Sequence, residues 1–241
     1  MSMSDGFHPP VEQYLEAIHE LEEEGTPIIQ ARLADRLGYR APSVSEMIRR
    51  LRKEGYVELS GRALTLTAKG RAQAESVVRK HRLAERLLTD LIGLPWERAH
   101  LEAGRWEHVI SDEVEEHLVK VLGHPTTCPH GNPIPGTAGI EVSLVALAEA
   151  QPGQQVRLER VTEQVELDMP SLRYLSDHGF VPGVAGTVRA KAPDGTLTID
   201  IDGSASIAVG PALAQQLFVS SEASGPSASA GSSGKVGAGR R

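Results

Sequence analysis

Three apolar stripes, each closed by a glycine and followed at once by an alternating segment, leave the N-terminal part of this chain few ways to fold. "PVEQYLEAIHELEEE" places Val11, Tyr14, Leu15, Ile18 and Leu21 at helical spacing, with Pro10 in the first turn and Gly25 beyond the end. "IIQARLADRLG" does the same with Ala31, Leu33, Ala34 and Leu37, and Gly38 is a natural C-cap. "APSVSEMIRRLRKEG" buries Val44, Met47, Ile48 and Leu51 and stops at Gly55. Two helices joined by a tight turn read as helix-turn-helix. "YVELSGRALTLTAKG" alternates about Ser60-Gly61, which predicts a hairpin and completes a winged helix.

Charge separates this segment from the rest. Residues 31–80 carry twelve Lys and Arg against five Asp and Glu, a balance of +7 in a chain of net charge −7, so the remainder carries −14. A basic segment in an acidic protein is the footprint of nucleic-acid binding, although a solvated basic face is the plainer alternative on charge alone. Docked in a major groove, the third helix would set Pro42, Ser43, Ser45 and Glu46 at base edges. Arg40, Arg49 and Arg50 would reach phosphates, and Arg62 at the hairpin tip the backbone or minor groove. Double-stranded DNA is the expected partner. No apolar run approaches membrane-spanning length, the N-terminus shows no signal-peptide stretch, and a single cysteine fits a reducing compartment. The expectation is a cytoplasmic protein with no membrane partner.

Residues 71–94 continue in helical register, with His81 and Glu85 one turn apart on one face. The spacing predicts one long helix over 96–122, carrying His100, Glu107 and His108. From "EVSLVALAEAQPGQQVRLERV" onward, short apolar runs alternate between Pro-Gly and Asp-Gly turns, the pattern of a small antiparallel barrel. The fold expected is mainly α with small β parts: a winged helix over 1–74, a helical domain over 75–140 and a barrel over 141–220. The Ser/Gly/Ala-rich tail at 221–241 lacks core residues and is expected to be disordered.

Between the helices and the barrel lies "TTCPHGNPIPG", holding the lone cysteine, Cys128, two residues from His130. No internal disulfide is open to it. A chance residue, a buried small filler, a nucleophile, or a metal ligand paired with His130 remain.

The segments "RKHRLAERLLTDLIGL", "RWEHVISDEVEEHLVKVL" and "HGNPIPG", with "YLEAIHELEEEG" at the N-terminus, resemble the diphtheria toxin repressor and iron- or manganese-dependent regulator family. The resemblance implies a winged-helix domain, a helical domain for dimerisation and metal binding, and an SH3-like C-terminal barrel. It further implies a metal-activated homodimer that binds a palindromic operator and represses metal-uptake genes, and no enzymatic activity.

The resemblance also assigns ligands. His81 and Glu85 match metal-binding positions of both iron and manganese types, Glu107 and His108 two ligands of a second site, and His100 an iron-type ligand. Cys128 and His130 are similar to a Cys-x-His pair of some manganese-type members, completed by a barrel aspartate for which Asp168 is the candidate here. Gln13 stands where the family has methionine or aspartate, and Gly104 where it has cysteine or glutamate. Glu16 matches a manganese-type ligand one turn from Gln13. A thiolate, imidazole and carboxylate set accepts Mn²⁺, Fe²⁺, Co²⁺ or Zn²⁺, and the expected ion is Mn²⁺ or Fe²⁺ as cells supply it. A constitutive DNA-binding protein with a degenerate metal site is one alternative, and a metal-dependent hydrolase using the same side chains is another.

Overall fold

The computed structural model of the chain describes residues 10–138, 143–202 and 205–221. The tail expected to be disordered lies, from residue 222, outside the described residues.

The three glycine-closed stripes form α1 (Pro10–Glu23), α2 (Gln30–Leu37) and α3 (Ala41–Lys53). The alternating segment forms β1 (Val57–Ser60) and β2 (Ala63–Leu66), paired antiparallel from Val57↔Leu66 to Ser60↔Ala63. Their inward residues Tyr14, Leu15, Ile18, Leu33, Val44, Ile48, Leu51, Val57 and Leu64 share one core. Gly38 closes α2 at φ 66°, a left-handed conformation that glycine adopts without a Cβ clash.

α4 (Ala68–Arg86) begins where the Thr67 hydroxyl accepts the Gly70 amide at 3.1 Å, and runs on into a π-turn over Leu87–Leu91. The single helix expected over 96–122 is two, α5 (Trp96–Ala103) and α6 (Asp112–Val121). Ser111 explains the second start: its hydroxyl caps the Val114 amide at 3.3 Å, with Asp112, Glu113 and Glu115 in the positive first turn. Glu107 and His108 therefore sit in the intervening turn and not on a helix. That frees the two adjacent side chains from the roughly 100° divergence that successive helical positions impose.

The C-terminal part contains β3 (Val145–Ala146), β4 (Gln155–Val161), α7 (Glu163–Glu166), α8 (Met169–Asp177), β5 (Ala185–Lys191), β6 (Leu197–Ile201), β7 (Ser206–Val209), α9 (Pro211–Ala214) and β8 (Leu217–Ser221). Among the described residues its strands form one antiparallel sheet in the order β3-β8-β4-β5-β6-β7, an SH3-like arrangement. Val156, Leu158, Val188, Ile199, Val209 and Leu217 fill its core against Leu172 and Leu175 of α8. Helix α8 begins with Pro170 in its first turn. Among the described residues no helix is long and apolar enough to cross a membrane.

Candidate metal centre and nucleic-acid face

One face of α4 turns Arg79, Arg82 and Arg86 onto the proline-rich loop. Arg79 donates to the Pro135 carbonyl at 2.7 Å, Arg82 to that of Pro133, and Arg86 to those of Thr127 and Cys128 at 2.7 and 3.1 Å. Prolines lack an N–H, so the loop's own backbone bonds, such as Cys128 to Asn132 and Ile134 to Thr126, leave carbonyls over, and these guanidinium groups supply donors to them. Gly131 carries the loop onto β4. A Cβ there would lie 1.8 Å from the Glu159 carbonyl oxygen, and the backbone stands at φ +88°. The contact is sealed by the Val161 amide donating to the His130 carbonyl at 3.0 Å.

The loop thereby brings Cys128 and His130 to Glu85 of α4 and Glu166 of α7, and all four residues are buried. His130 Nδ1 lies 3.2 Å from Glu85 Oε1, 2.9 Å from Glu166 Oε2 and 4.0 Å from the thiol. Its Nε2–H donates to the Trp96 carbonyl at 3.1 Å, which turns Nδ1 toward the carboxylates. Asn132 donates to Glu166 Oε1 at 2.5 Å and fixes its other oxygen. The second Glu85 oxygen, Oε2, is buried and meets no hydrogen-bond partner among the described residues. An unpaired buried carboxylate oxygen beside a thiol, an imidazole and a second carboxylate is chemistry that a divalent cation satisfies.

The barrel residue in this group is Glu166, not Asp168. In the short α7, Glu163 and Glu166 are three residues apart on one face and both point inward. Asp168 lies past the helix end, at the N-cap position of α8, where its exposed carboxylate accepts the Ser171 hydroxyl at 2.6 Å. Glu163 joins the site as well, with Oε1 2.9 Å from His100 Nδ1. Neither glutamate's place in the group could be read from the sequence, because the four-residue α7 carries no periodic signal.

A second donor group abuts the first. His81 Nε2 lies 3.2 Å from Glu85 Oε1 and 3.0 Å from His100 Nδ1, while Nδ1 meets Glu107 Oε2, with Glu16 Oε1 at 3.9 Å. His108 Nε2 lies 3.0 Å from the other Glu107 oxygen, and His108 Nδ1 is 2.7 Å from Glu12 Oε2. Gln13 turns away and accepts the Tyr39 hydroxyl at 3.0 Å. A Cβ at Gly104 would be 4.0 Å from the His81 ring, so a side chain there would enter this group and glycine contributes none.

Without a cation the cluster holds protons. Burial opposes charge on His81, but the Glu107 and Glu85 carboxylates outweigh it and lift its pKa well above the ordinary imidazole value. Burial likewise works against charge on His100 and His130, and Glu163 and Glu166 respectively lead the carboxylates that raise them. Glu107 is brought down to about 2, against its burial, chiefly by His81. Burial pushes the Cys128 thiol up to about 12, reinforced by the charges of Glu85 and Glu166.

On the other side of α1, α3 offers the basic face. Pro42, Ser43, Glu46, Arg49 and Arg50 are exposed along it, with Arg40 just before it and Arg62 at the tip of the β1–β2 hairpin. Ser45 is half-buried and donates to Gln30 at 2.8 Å, so its hydroxyl ties α3 to α2. Arg50 is held by Glu54 at 2.8 Å.

Comparison with known proteins agrees with this layout. Residues 7–63 match the family described as "Iron dependent repressor, N-terminal DNA binding domain", and residues 67–136 "Iron dependent repressor, metal binding and dimerisation domain". Residues 145–221 match the FeoA domain. The iron-dependent repressor IdeR of Mycobacterium tuberculosis is 45% identical over 220 residues, covering 86% of this chain and 95% of that protein. This chain belongs to the iron-dependent repressor family. The diphtheria toxin repressor of Corynebacterium diphtheriae is 41% identical over 202 residues, covering 80% of this chain and 88% of that protein. Among solved structures, a manganese-dependent transcriptional repressor in complex with manganese superposes with a TM-score of 0.80 at 31% identity, over 88% of this chain and all of that one.

Proposed function

We propose that this chain is a metal-activated transcriptional repressor that binds a palindromic DNA operator as a homodimer and controls metal uptake in the cytoplasm. The observation that carries the reading is the buried Glu85–Cys128–His130–Glu166 group with its unpartnered carboxylate oxygen. It gathers donors from α4, the proline loop and the barrel, beside a basic winged helix. Bound there, Mn²⁺ or Fe²⁺ supplies the positive charge that balances the buried acids and the thiolate; Zn²⁺ and Co²⁺ suit the same donors in vitro.

The residues then divide the work. Glu85, Cys128, His130 and Glu166 hold the ion, and His130 is oriented by the Trp96 carbonyl. Glu16, His81, Glu107 and His108 form the second position, with His100 and Glu163 between the two. Glu12 and Glu16 belong to α1, whose adjoining face packs Leu15 and Ile18 into the core shared with α3. Drawing those carboxylates toward the metal-binding segment fixes the pose of the reading helix, since only the loaded arrangement gains the ligand contacts. Exposed Leu91, Ile92, Leu101 and Val109 give the matched dimerisation segment an apolar surface suited to a second copy. The role is ligand-gated binding and requires no reaction on a substrate.

Operator binding by metal-free protein, titrated in parallel with Mn²⁺, Fe²⁺ and Zn²⁺, tests the reading. Sequence-specific binding should appear with metal and vanish with chelator, while sedimentation reports a dimer on the DNA. Equal binding with and without chelator would favour a constitutive DNA-binding protein and sink the proposal.

A further inference from the structure

We propose that Glu46 reads cytosine in the major groove, so that each operator half-site carries one C·G pair selected by this carboxylate. The inference rests on the operator-binding reading above and names one base within it. Helix α3 turns Val44, Ile48 and Leu51 into the core and leaves Pro42, Ser43, Glu46, Arg49, Arg50 and Lys53 exposed as one stripe at helical spacing. Glu46 lies in the middle of that stripe and is the one acidic residue between Ala41 and Lys53.

Its neighbours leave the carboxylate free. A glutamate one turn ahead of an arginine is the favoured order for an ion pair along a helix, and Arg50 follows Glu46 at that spacing. Arg50 turns the other way, its Nε donating to Glu54 at 2.8 Å. Arg49 sets its Nε on the Ser45 carbonyl at 3.3 Å. Among the described residues no hydrogen bond or ion pair engages Glu46. The Ser45 hydroxyl donates to Gln30 at 2.8 Å, which leaves Ser43 and Glu46 as the polar side chains between Ala41 and Met47 open to a base edge.

An unpaired negative charge on a surface that meets a polyanion weakens binding to every sequence, unless a base returns hydrogen bonds to it. A carboxylate only accepts, and the donors on major-groove edges are the cytosine N4 and adenine N6 amino groups. Adenine sets its N7 acceptor beside N6, while guanine and thymine present acceptors at O6, N7 and O4. Cytosine alone offers the donor with no acceptor next to it. The charge that costs affinity on other DNA therefore sharpens the choice of base, and two-fold symmetry repeats that choice in the second half-site.

Binding selection on a randomised duplex pool, with the full chain saturated with Mn²⁺, tests this once the recovered operator is titrated with every single-base change in a half-site. Wild type should require cytosine at one position per half-site, with a loss of about fivefold to a hundredfold for any other base there. Glu46→Gln should move that position to adenine, whose N6 and N7 match a carboxamide. Glu46→Ala should leave it without preference while the other positions keep theirs. Both variants should also bind a scrambled duplex about twofold or more tightly than wild type, since each removes a charge that repels phosphate. An unchanged base preference in both variants, a loss spread evenly over all positions, or a shift at a position that is not cytosine would overturn the assignment. A wild-type chain that selects no sequence with Mn²⁺ present would overturn the operator reading, and the role of Glu46 with it.

Discussion

The two donor groups that meet at His81 are built to different standards. The loop group draws on three parts of the chain, is wholly buried, and has each orienting partner in place: Trp96 on His130, Asn132 on Glu166, three arginines on the loop backbone. The α1 group spans two helices and a turn, half of its acids remain partly exposed, and Gln13 and Gly104 leave gaps. A site whose donors are prearranged loses less entropy on loading than one that must gather them. The loop group should be the high-affinity position and the α1 group the one that reports to DNA.

The largest effect expected is at the thiol. Cys128→Ala should lower metal affinity at the loop position by about a hundredfold or more, the upper end of what even an outer partner costs. It should also abolish metal-activated operator binding. The apo fold should survive with a loss of about 1 kcal/mol in a thermal melt, as for removal of one small buried group. An operator response like wild type would reduce Cys128 to packing.

A paired substitution sharpens the assignment of the barrel ligand. Glu166→Gln should weaken binding about tenfold or more, whereas Asp168→Asn, at an exposed helix cap, should stay within about twofold in the same titration. The reverse order would restore Asp168 as ligand.

Acidity separates the groups next. Loading the loop position displaces one proton from Cys128, held up to about 12, and one from His130, held well above its usual value. The logarithm of the affinity should then rise with pH across neutrality with a slope of about 2. Apo stability moves the other way. The raised His81, His100 and His130 contribute fully below their unfolded value of about 6.5, and that contribution is lost as pH climbs through their folded values. Glu107, brought down to about 2, contributes above its ordinary range and loses this as pH falls toward 2. The metal-induced rise in Tm should therefore grow with pH; a flat profile would deny proton release.

Much of this was legible in the residues. The stripes of α1 to α3 and the alternation of the hairpin follow periodicity, because each buries one face against a local neighbour. The broken helix was less so: residues 96–122 keep helical spacing throughout, and only the Ser111 cap ahead of acidic residues marks the restart. Cys128, His130, Glu85 and His81 could be named from short motifs. Glu163 and Glu166 could not, since a one-turn helix carries no periodic signal and its inward face is set by packing against α5 and the loop. Asp168 was the natural choice by residue type, but its exposed carboxylate accepts the Ser171 hydroxyl at the start of α8.

A smaller effect belongs to the basic face. Arg50→Ala should weaken binding to all sequences alike and reduce the salt slope by about one unit, partly offset because Arg50 must first leave Glu54. Sequence-dependent losses would make it a base reader instead.

The most direct measurement is X-ray absorption at the zinc edge on the full chain loaded with a single equivalent of Zn²⁺. The loop position, filling first, should show one sulfur scatterer at about 2.3 Å beside nitrogen and oxygen at about 2.0–2.2 Å. Cys128→Ser should replace the sulfur shell with a light-atom one. A first shell of nitrogen and oxygen alone in the wild type would mean that the ion settles at Glu16, His81, Glu107 and His108, and that the proline loop is not the primary metal site.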